Sequence, residues 1–249
     1  MRCSLLAPGL AALVAVAVLV ALGIWQLQRL AWKEALIARV EARVHRPAEP
    51  LPPETRWKEL RPEDYEFRHV RVSGRYLNDR EVYAFTALSE PKGPFRGPGY
   101  WVFTPLDLGG GAAVFVNRGF VPMDRKDPAT RADGVIAGVV EVTGLMRAPD
   151  RAGLFTPAPD PRNKVLFVRD PAAMARIAGL ANVAPFYVDA AESGPGGLPQ
   201  GGETRLSFPN PHLGYALTWF GLAAALILMF GVWARAQAAR PSGPDGGAS

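Results

Sequence analysis

Two stretches at the ends of the chain carry no charge. Residues 5–25 are 21 consecutive uncharged, mostly apolar positions, and residues 213–232 are 20 more. At about 1.5 Å of rise per residue, either run as a helix covers the roughly 30 Å hydrocarbon core of a bilayer. Neither keeps the polar stripe of a helix on a soluble core. The alternative for the first run is a cleaved signal peptide with Arg2 as its basic flank. Its apolar stretch is longer than the usual core of about 7–15 residues, and no good cleavage site breaks the chain before Gln26. In the second run, Trp219 and Phe220 lie toward one end, Phe230 and Trp233 at the other, and Arg235 follows. That is the pattern of an aromatic belt with a cationic anchor.

Between the ends the period changes. Residues 26–46 continue as a charged juxtamembrane helix with Arg29, Lys33, Glu34, Arg39, Glu41 and Arg43, free of Gly and Pro until Pro47. Pro50, Pro52 and Pro53 then make a linker. From Phe67 apolar and polar positions alternate, predicting strands over 67–76, 81–88, 100–106, 112–121, 139–146, 165–169 and 186–188. One short helix interrupts them, with Asp170 as its N-cap, Pro171 at its first position and Gly179 at its end. The pattern predicts a membrane α+β protein. Transmembrane helices at 5–25 and 213–233 flank a mostly antiparallel β domain over 47–210, barrel- or sandwich-like, with a short helix. Residues 234–249, Gly/Ser-rich from Pro241, are expected to be a disordered cytoplasmic tail.

Composition changes this picture little. The net charge of +5 is compatible with nucleic acid, but no recognition motif accompanies it, and membrane proteins hold Lys and Arg at headgroups. Cys3 is the one cysteine, which excludes an intramolecular disulfide and any site needing two thiolates of one chain. That lack, with five scattered Met, also argues against copper delivery. No nucleophile elbow and no His-Glu-x-x-His occur, so no enzyme is expected. Asp124, Asp127, Asp133 and Asp150 sit where turns explain them, and residues 194–202 lack the Lys-Ser/Thr end of a phosphate loop. Charge does not decide topology. Arg235 and Arg240 against Arg205 favour a cytoplasmic C-terminus, whereas Arg29, Lys33, Arg39, Arg43 and Arg46 after the first run outnumber Arg2 before it.

The mouth of the second run is the most informative place. His212, Tyr215 and Trp219 fall at i, i+3 and i+7 of a helix, and an ionisable residue at a membrane boundary is a functional candidate. A neutral imidazole there could ligate haem iron. The plainer account, which residue chemistry alone favours, is an interfacial His that hydrogen-bonds headgroups or the stalk. On the first helix Trp25, Arg29 and Trp32 share a face, with Gln26 and Lys33 beside them. They read as interfacial anchors, or as a cationic face for acidic groups such as haem propionates.

Several segments, in order, resemble the surfeit locus protein one family of cytochrome c oxidase assembly factors. They are Gly23-Ile24-Trp25-Gln26-Leu27-Gln28-Arg29 with Trp32-Lys33; Gly99-Tyr100 leading to Thr104-Pro105; and Asn117-Arg118-Gly119-Phe120-Val121-Pro122. Gly144-Leu145-Met146-Arg147 follows, and then Asn210 with His212-Leu213, Tyr215-Ala216 and Thr218-Trp219. The resemblance implies a non-enzymatic role in building the haem–copper oxidase, around insertion of haem A into its largest subunit. It implies cytochrome c oxidase subunit I and haem A synthase as partners, a bilayer as surroundings, and a domain facing the periplasm or intermembrane space. With no presequence ahead of the first run, a bacterial inner membrane and a periplasmic domain are expected. His212 falls on the family's histidine and is expected to be the axial ligand to haem A, with Tyr215 and Trp219 lining the macrocycle and Arg29 meeting its propionates. Pro211 departs from the family pattern at the helix entrance.

Overall fold

The computed structural model describes residues 6–204 and 210–239, with the side chain of Arg39 left aside. Expectations that rest on Arg2, Cys3, Arg205, Arg240 and residues 240–249 lie outside the described residues, whereas residues 234–238, expected in the disordered tail, continue the last helix. The chain divides into a helical unit, residues 6–39 with 210–239, and a β unit, residues 40–204. The elements are α1 (Leu6–Val44), β1 (Glu49–Pro50), α2 (Pro62–Tyr65), β2 (His69–Tyr76), β3 (Val82–Leu88), β4 (Gly97–Gly109) and β5 (Ala112–Pro122). They continue with β6 (Val139–Arg147), β7 (Val165–Leu166), α3 (Pro171–Ala178), β8 (Val183–Ala190) and α4 (His212–Ala238).

Both long helices are long and apolar enough to cross a membrane. Their large side chains point outward: Leu10, Leu13, Leu217, Leu228 and Val232 are each more than 60% exposed. What the helices bury is a narrow seam of small residues. Ala216 and Ala223 are enclosed on α4, and a Cβ at Gly23 would stand 2.6 Å from the Phe220 ring. Small residues at such a seam let two helices approach closely without a hydrophobic driving force.

The β unit is one eight-stranded sheet in the order β1-β2-β6-β8-β5-β4-β3-β7. The sheet is mixed, which corrects the expectation of a barrel or sandwich: β1–β2, β3–β7 and β5–β8 are parallel. An extra pairing, Arg75↔Asp107 and Tyr76↔Leu106, brings β2 back beside β4. Gly74 permits this approach, because a Cβ there would lie 2.4 Å from the Asp107 carbonyl oxygen. The result is a local closure and not a clear barrel.

β5 is buried along almost its whole length because it is central and covered on both faces. Val114 and Val116 join a core with Val70, Leu106, Met146 and Phe186. Phe115 turns to the other face, against Phe103, Tyr187 and Met174 of α3. Each such side chain contributes about 1.5–3 kcal/mol when fully buried. α3 begins and ends as its residues predict: Asp170 accepts from the Ala172 N–H, and Gly179 is left-handed at φ 66°. β7 is shorter than the expected 165–169 because Arg169 leaves the sheet. Its guanidinium engages both oxygens of Asp150, at 2.7 and 3.0 Å.

Candidate functional site

His212 begins α4 directly after Pro211, whose φ of −80° leads into the helix. Steps of four and seven place Ala216, Phe220 and Ala223 on one face of α4, the face that meets α1, and His212 belongs to the same row. On α1, Gln26 is three residues beyond Gly23 and shares its face. The two polar side chains meet: His212 Nδ1 lies 2.7 Å from Gln26 Oε1. Gln26 is only 9% exposed, a buried polar group facing the imidazole. With the amide oxygen as acceptor, Nδ1 is the donor, and in the neutral ring Nε2 is then the nitrogen with the free lone pair. An acceptor behind one ring nitrogen that fixes the tautomer for the other is the usual support of a metal-binding imidazole.

The other residues singled out in the sequence are arranged differently. Three residues of helix rotate by about 300°, so Tyr215 turns out of the seam and is 54% exposed. Trp219 is half-buried. Arg29, three past Gln26, turns away likewise, and its guanidinium sits 4.5 Å from the Trp32 ring centroid. Among the described residues no hydrogen bond, ion pair or ring contact joins Arg29, Tyr215 or Trp219 to His212. Gln26, which the sequence placed only beside the cationic face, is the partner. Its one signal was a polar side chain at the end of an apolar helix, spaced three from a glycine.

The β unit holds two buried ionic networks that the sequence did not announce. Asp189 of β8 accepts from Asn117 Nδ2 at 2.8 Å, Arg147 Nη1 at 2.9 Å and Thr204 Oγ1 at 3.0 Å. This joins two motif segments, 117–122 and 144–147, across three adjacent strands. In the second network Glu81 accepts from Arg131 at 2.6 Å, Tyr83 at 3.2 Å and Thr104 at 3.3 Å, with Arg118 Nη1 at 3.7 Å. Burial, with the Glu81 carboxylate beside it, holds the Tyr83 phenol well above its ordinary range. Burial pushes Tyr76 up to about 12, against the opposing pull of Arg118.

A cavity of about 420 Å³ opens beside the first network, lined by Trp101, Asn117, Arg147, Arg169, Asp150 and Asp189. Asp150 and Asp189 are each committed to an arginine there, so neither stands as a free base. Among the described residues no group of three or more His, Cys, Asp or Glu is disposed to hold a metal ion.

The sequence profile described as the SURF1 family matches residues 13–224, from within α1 to within α4. Surfeit locus protein 1 of Mus musculus is 38% identical over 218 residues, covering 82% of this chain and 68% of the mouse protein. The Homo sapiens protein of the same name is 38% identical over 219 residues, covering 82% and 70%. A SURF1-like protein of Drosophila melanogaster is 33% identical over 219 residues, with the same coverage. The Asn117–Asp189 network and the His212–Gln26 contact lie within the matched residues, and the chain belongs to the SURF1 family.

Proposed function

We propose that this protein is a non-catalytic, membrane-anchored assembly factor for haem–copper cytochrome c oxidase that holds haem A on its way into the largest subunit. Subunit I and haem A synthase are its partners in this reading. The observation that carries it is the His212–Gln26 pair: an imidazole held through Nδ1 at the end of an apolar helix seam. Haem when bound supplies an iron that accepts an imidazole nitrogen. Nε2 of His212 is the nitrogen offered, Tyr215 and Trp219 are the apolar surface nearby in the helix, and Arg29 and Lys33 are cations for propionates. A charge-assisted contact of this kind contributes about 1.5–3 kcal/mol, so these cations tune affinity while the iron–nitrogen bond sets identity.

The outward leucines and valines of both helices support a bilayer, because a core helix of a soluble protein would bury them. We assign the protein to a bacterial inner membrane with both termini cytoplasmic and the β unit periplasmic, in keeping with Arg235 just past the apolar run of α4. The test is an absorption spectrum of wild type, His212→Ala, Gln26→Leu and Arg29→Ala, purified in detergent from cells that make haem A. His212→Ala loses the Soret band, Arg29→Ala keeps a weakened one, and Gln26→Leu retains haem about 10–100-fold less tightly. Full haem with an unshifted spectrum in His212→Ala refutes the ligand assignment and leaves a scaffold that binds protein partners alone.

A further inference from the structure

Arg118 occupies a β-bulge. Val102 pairs with Gly119 and Phe103 with Asn117, so Arg118 is the extra residue of β5 and its side chain is driven inward. It is 3% exposed, with its guanidinium carbon 4.8 Å from the Tyr76 ring centroid. Its nitrogens are poorly used. Nη2 donates to the Gly134 carbonyl, while Nη1 has no hydrogen-bond acceptor and stands 3.7 Å from Glu81 Oε1. That carboxylate is already engaged by Arg131, Tyr83 and Thr104. Two buried guanidiniums therefore share one carboxylate, and the cluster holds an excess positive charge. An uncompensated buried charge is strongly destabilising, and a second anion would relieve it.

A place for that anion lies beside Arg118. β6 pairs with β8 from Gly144 to Arg147, and the Ala191 N–H still donates to the Thr143 carbonyl at 3.0 Å; before that, residues 139–142 splay away from the chain at 192–195. The splay opens a cavity of about 500 Å³ lined by Tyr76, Arg118, Ile136, Val140 and Thr143. Nη2 of Arg118 faces Gly194 on its wall, 3.1 Å from where a Cβ would be, so no side chain intervenes. Around it the walls mix apolar Ile136, Val140 and Pro195 with polar Thr143 and Ser193. Glu141 and Glu192, both exposed, and His69 line its outer part.

We propose that this cavity binds a singly charged organic carboxylate with a short apolar body, its carboxylate on Arg118. The single interior cation sets one negative charge, and the two glutamates disfavour phosphate and dicarboxylates by repulsion. The site lies wholly in the β unit and stands apart from the haem reading.

The test uses the full chain in detergent, titrated calorimetrically with butyrate, butyramide, succinate and inorganic phosphate. Butyrate binds saturably, one per chain, and the other three at least about tenfold more weakly, the loss expected from one charge-assisted pair. Arg118→Lys, which keeps the charge and loses the planar fork, weakens butyrate by roughly tenfold or more. Val140→Phe narrows the cavity without touching the guanidinium and weakens butyrate while the melting temperature holds. Butyrate binding no tighter than butyramide overturns the proposal. So does unchanged butyrate affinity in a folded Arg118→Lys. If Arg118→Lys does not fold, unchanged affinity in Val140→Phe is decisive against the site.

Discussion

Replacing Gly119 by alanine adds one methyl group where the sheet has no room for it. The new Cβ would stand 2.1 Å from the carbonyl oxygen of Gln200 and 2.2 Å from its carbon, on a backbone at φ +128° that side chains rarely adopt. The obstacle is main chain, and it is pinned: Phe120 and Gln200 exchange both backbone hydrogen bonds, each 2.8 Å. Moving Gln200 away breaks that bridge. Backbone strain costs about 1–3 kcal/mol, overpacking about 1–3 more, and a weakened hydrogen bond about 1. The sum, roughly 3–7 kcal/mol, is a large share of the 5–15 or so that a domain has in total. For a β unit of this size it corresponds to a fall of roughly 10–20 °C in melting temperature. Gly179→Ala is the control. Gly179 also has positive φ, +66°, but nothing lies within 4 Å of its would-be Cβ, so it incurs only the backbone term, roughly 1 kcal/mol. Gly119→Glu adds a charge to the same clash and should lower the amount of protein recovered, not activity alone. Thermal melts of the purified full chain followed by tryptophan fluorescence, with immunoblots of cell extracts, give both readings. Gly119→Ala melting no lower than Gly179→Ala, or Gly119→Glu at normal abundance with an unchanged melt, would refute the close-packing argument.

Three further outcomes follow from the same structure. Glu81→Gln leaves Arg131 and Arg118 buried without their shared carboxylate and should destabilise the protein by about 3–5 kcal/mol; a urea midpoint equal to wild type would contradict that. Burial pushes Tyr65 and Tyr76 up to about 12 in the fold, above their ordinary value near 10. A raised folded pKa means the unfolded chain loses these protons first. Stability is therefore complete below about pH 10 and falls as pH rises toward about 12, so tyrosinate absorbance and loss of tertiary circular dichroism should rise together in that window. Tyrosines ionising near pH 10 with the fold intact would exclude their burial. A C-terminal alkaline phosphatase fusion should be inactive if both termini are cytoplasmic, and high activity would reverse the topology.

Legibility followed the range of the interaction. The apolar runs of α1 and α4 could be read directly, since their signal is composition over some twenty positions. The start and stop of α3 were equally plain, because Asp170 and Gly179 act within one turn of themselves. Strands β2 to β6 were visible as alternation, but their partners were not. The parallel join of β5 to β8 links segments far apart in sequence, and β1, two residues around Pro50, is too short to carry a period. Asp127 and Asp150 look alike as turn residues. Asp127 does accept from the Ala129 N–H two positions on, whereas Asp150 is bound to Arg169, a partner no local rule supplies. His212 was visible by its chemistry; its contact with Gln26 depends on the rotation of both helices, which apolar residues on all sides leave open.

The segment Asn117-Arg118-Gly119 shows why a sequence motif without catalytic chemistry can still be specific. Read along the chain, it is a polar interruption in an apolar strand, suited to a turn. In the fold it stays inside the central strand, and each residue answers to a different neighbour. Asn117 donates to Asp189 across the parallel pairing, Arg118 bulges inward toward Glu81 and Tyr76, and Gly119 lets the Gln200 backbone lie against the sheet. Shifting the register by one residue would put a side chain into Gln200, withdraw the arginine from Glu81 and leave Asp189 without its amide donor at the same time. Because strand side chains alternate, no smaller slip exists. Three demands of different kinds, electrostatic, hydrogen-bonding and steric, are met by one order of three residues. The position of β5 between β4 and β8, and with it the two cavities that Asn117 and Arg118 line, follows from that order.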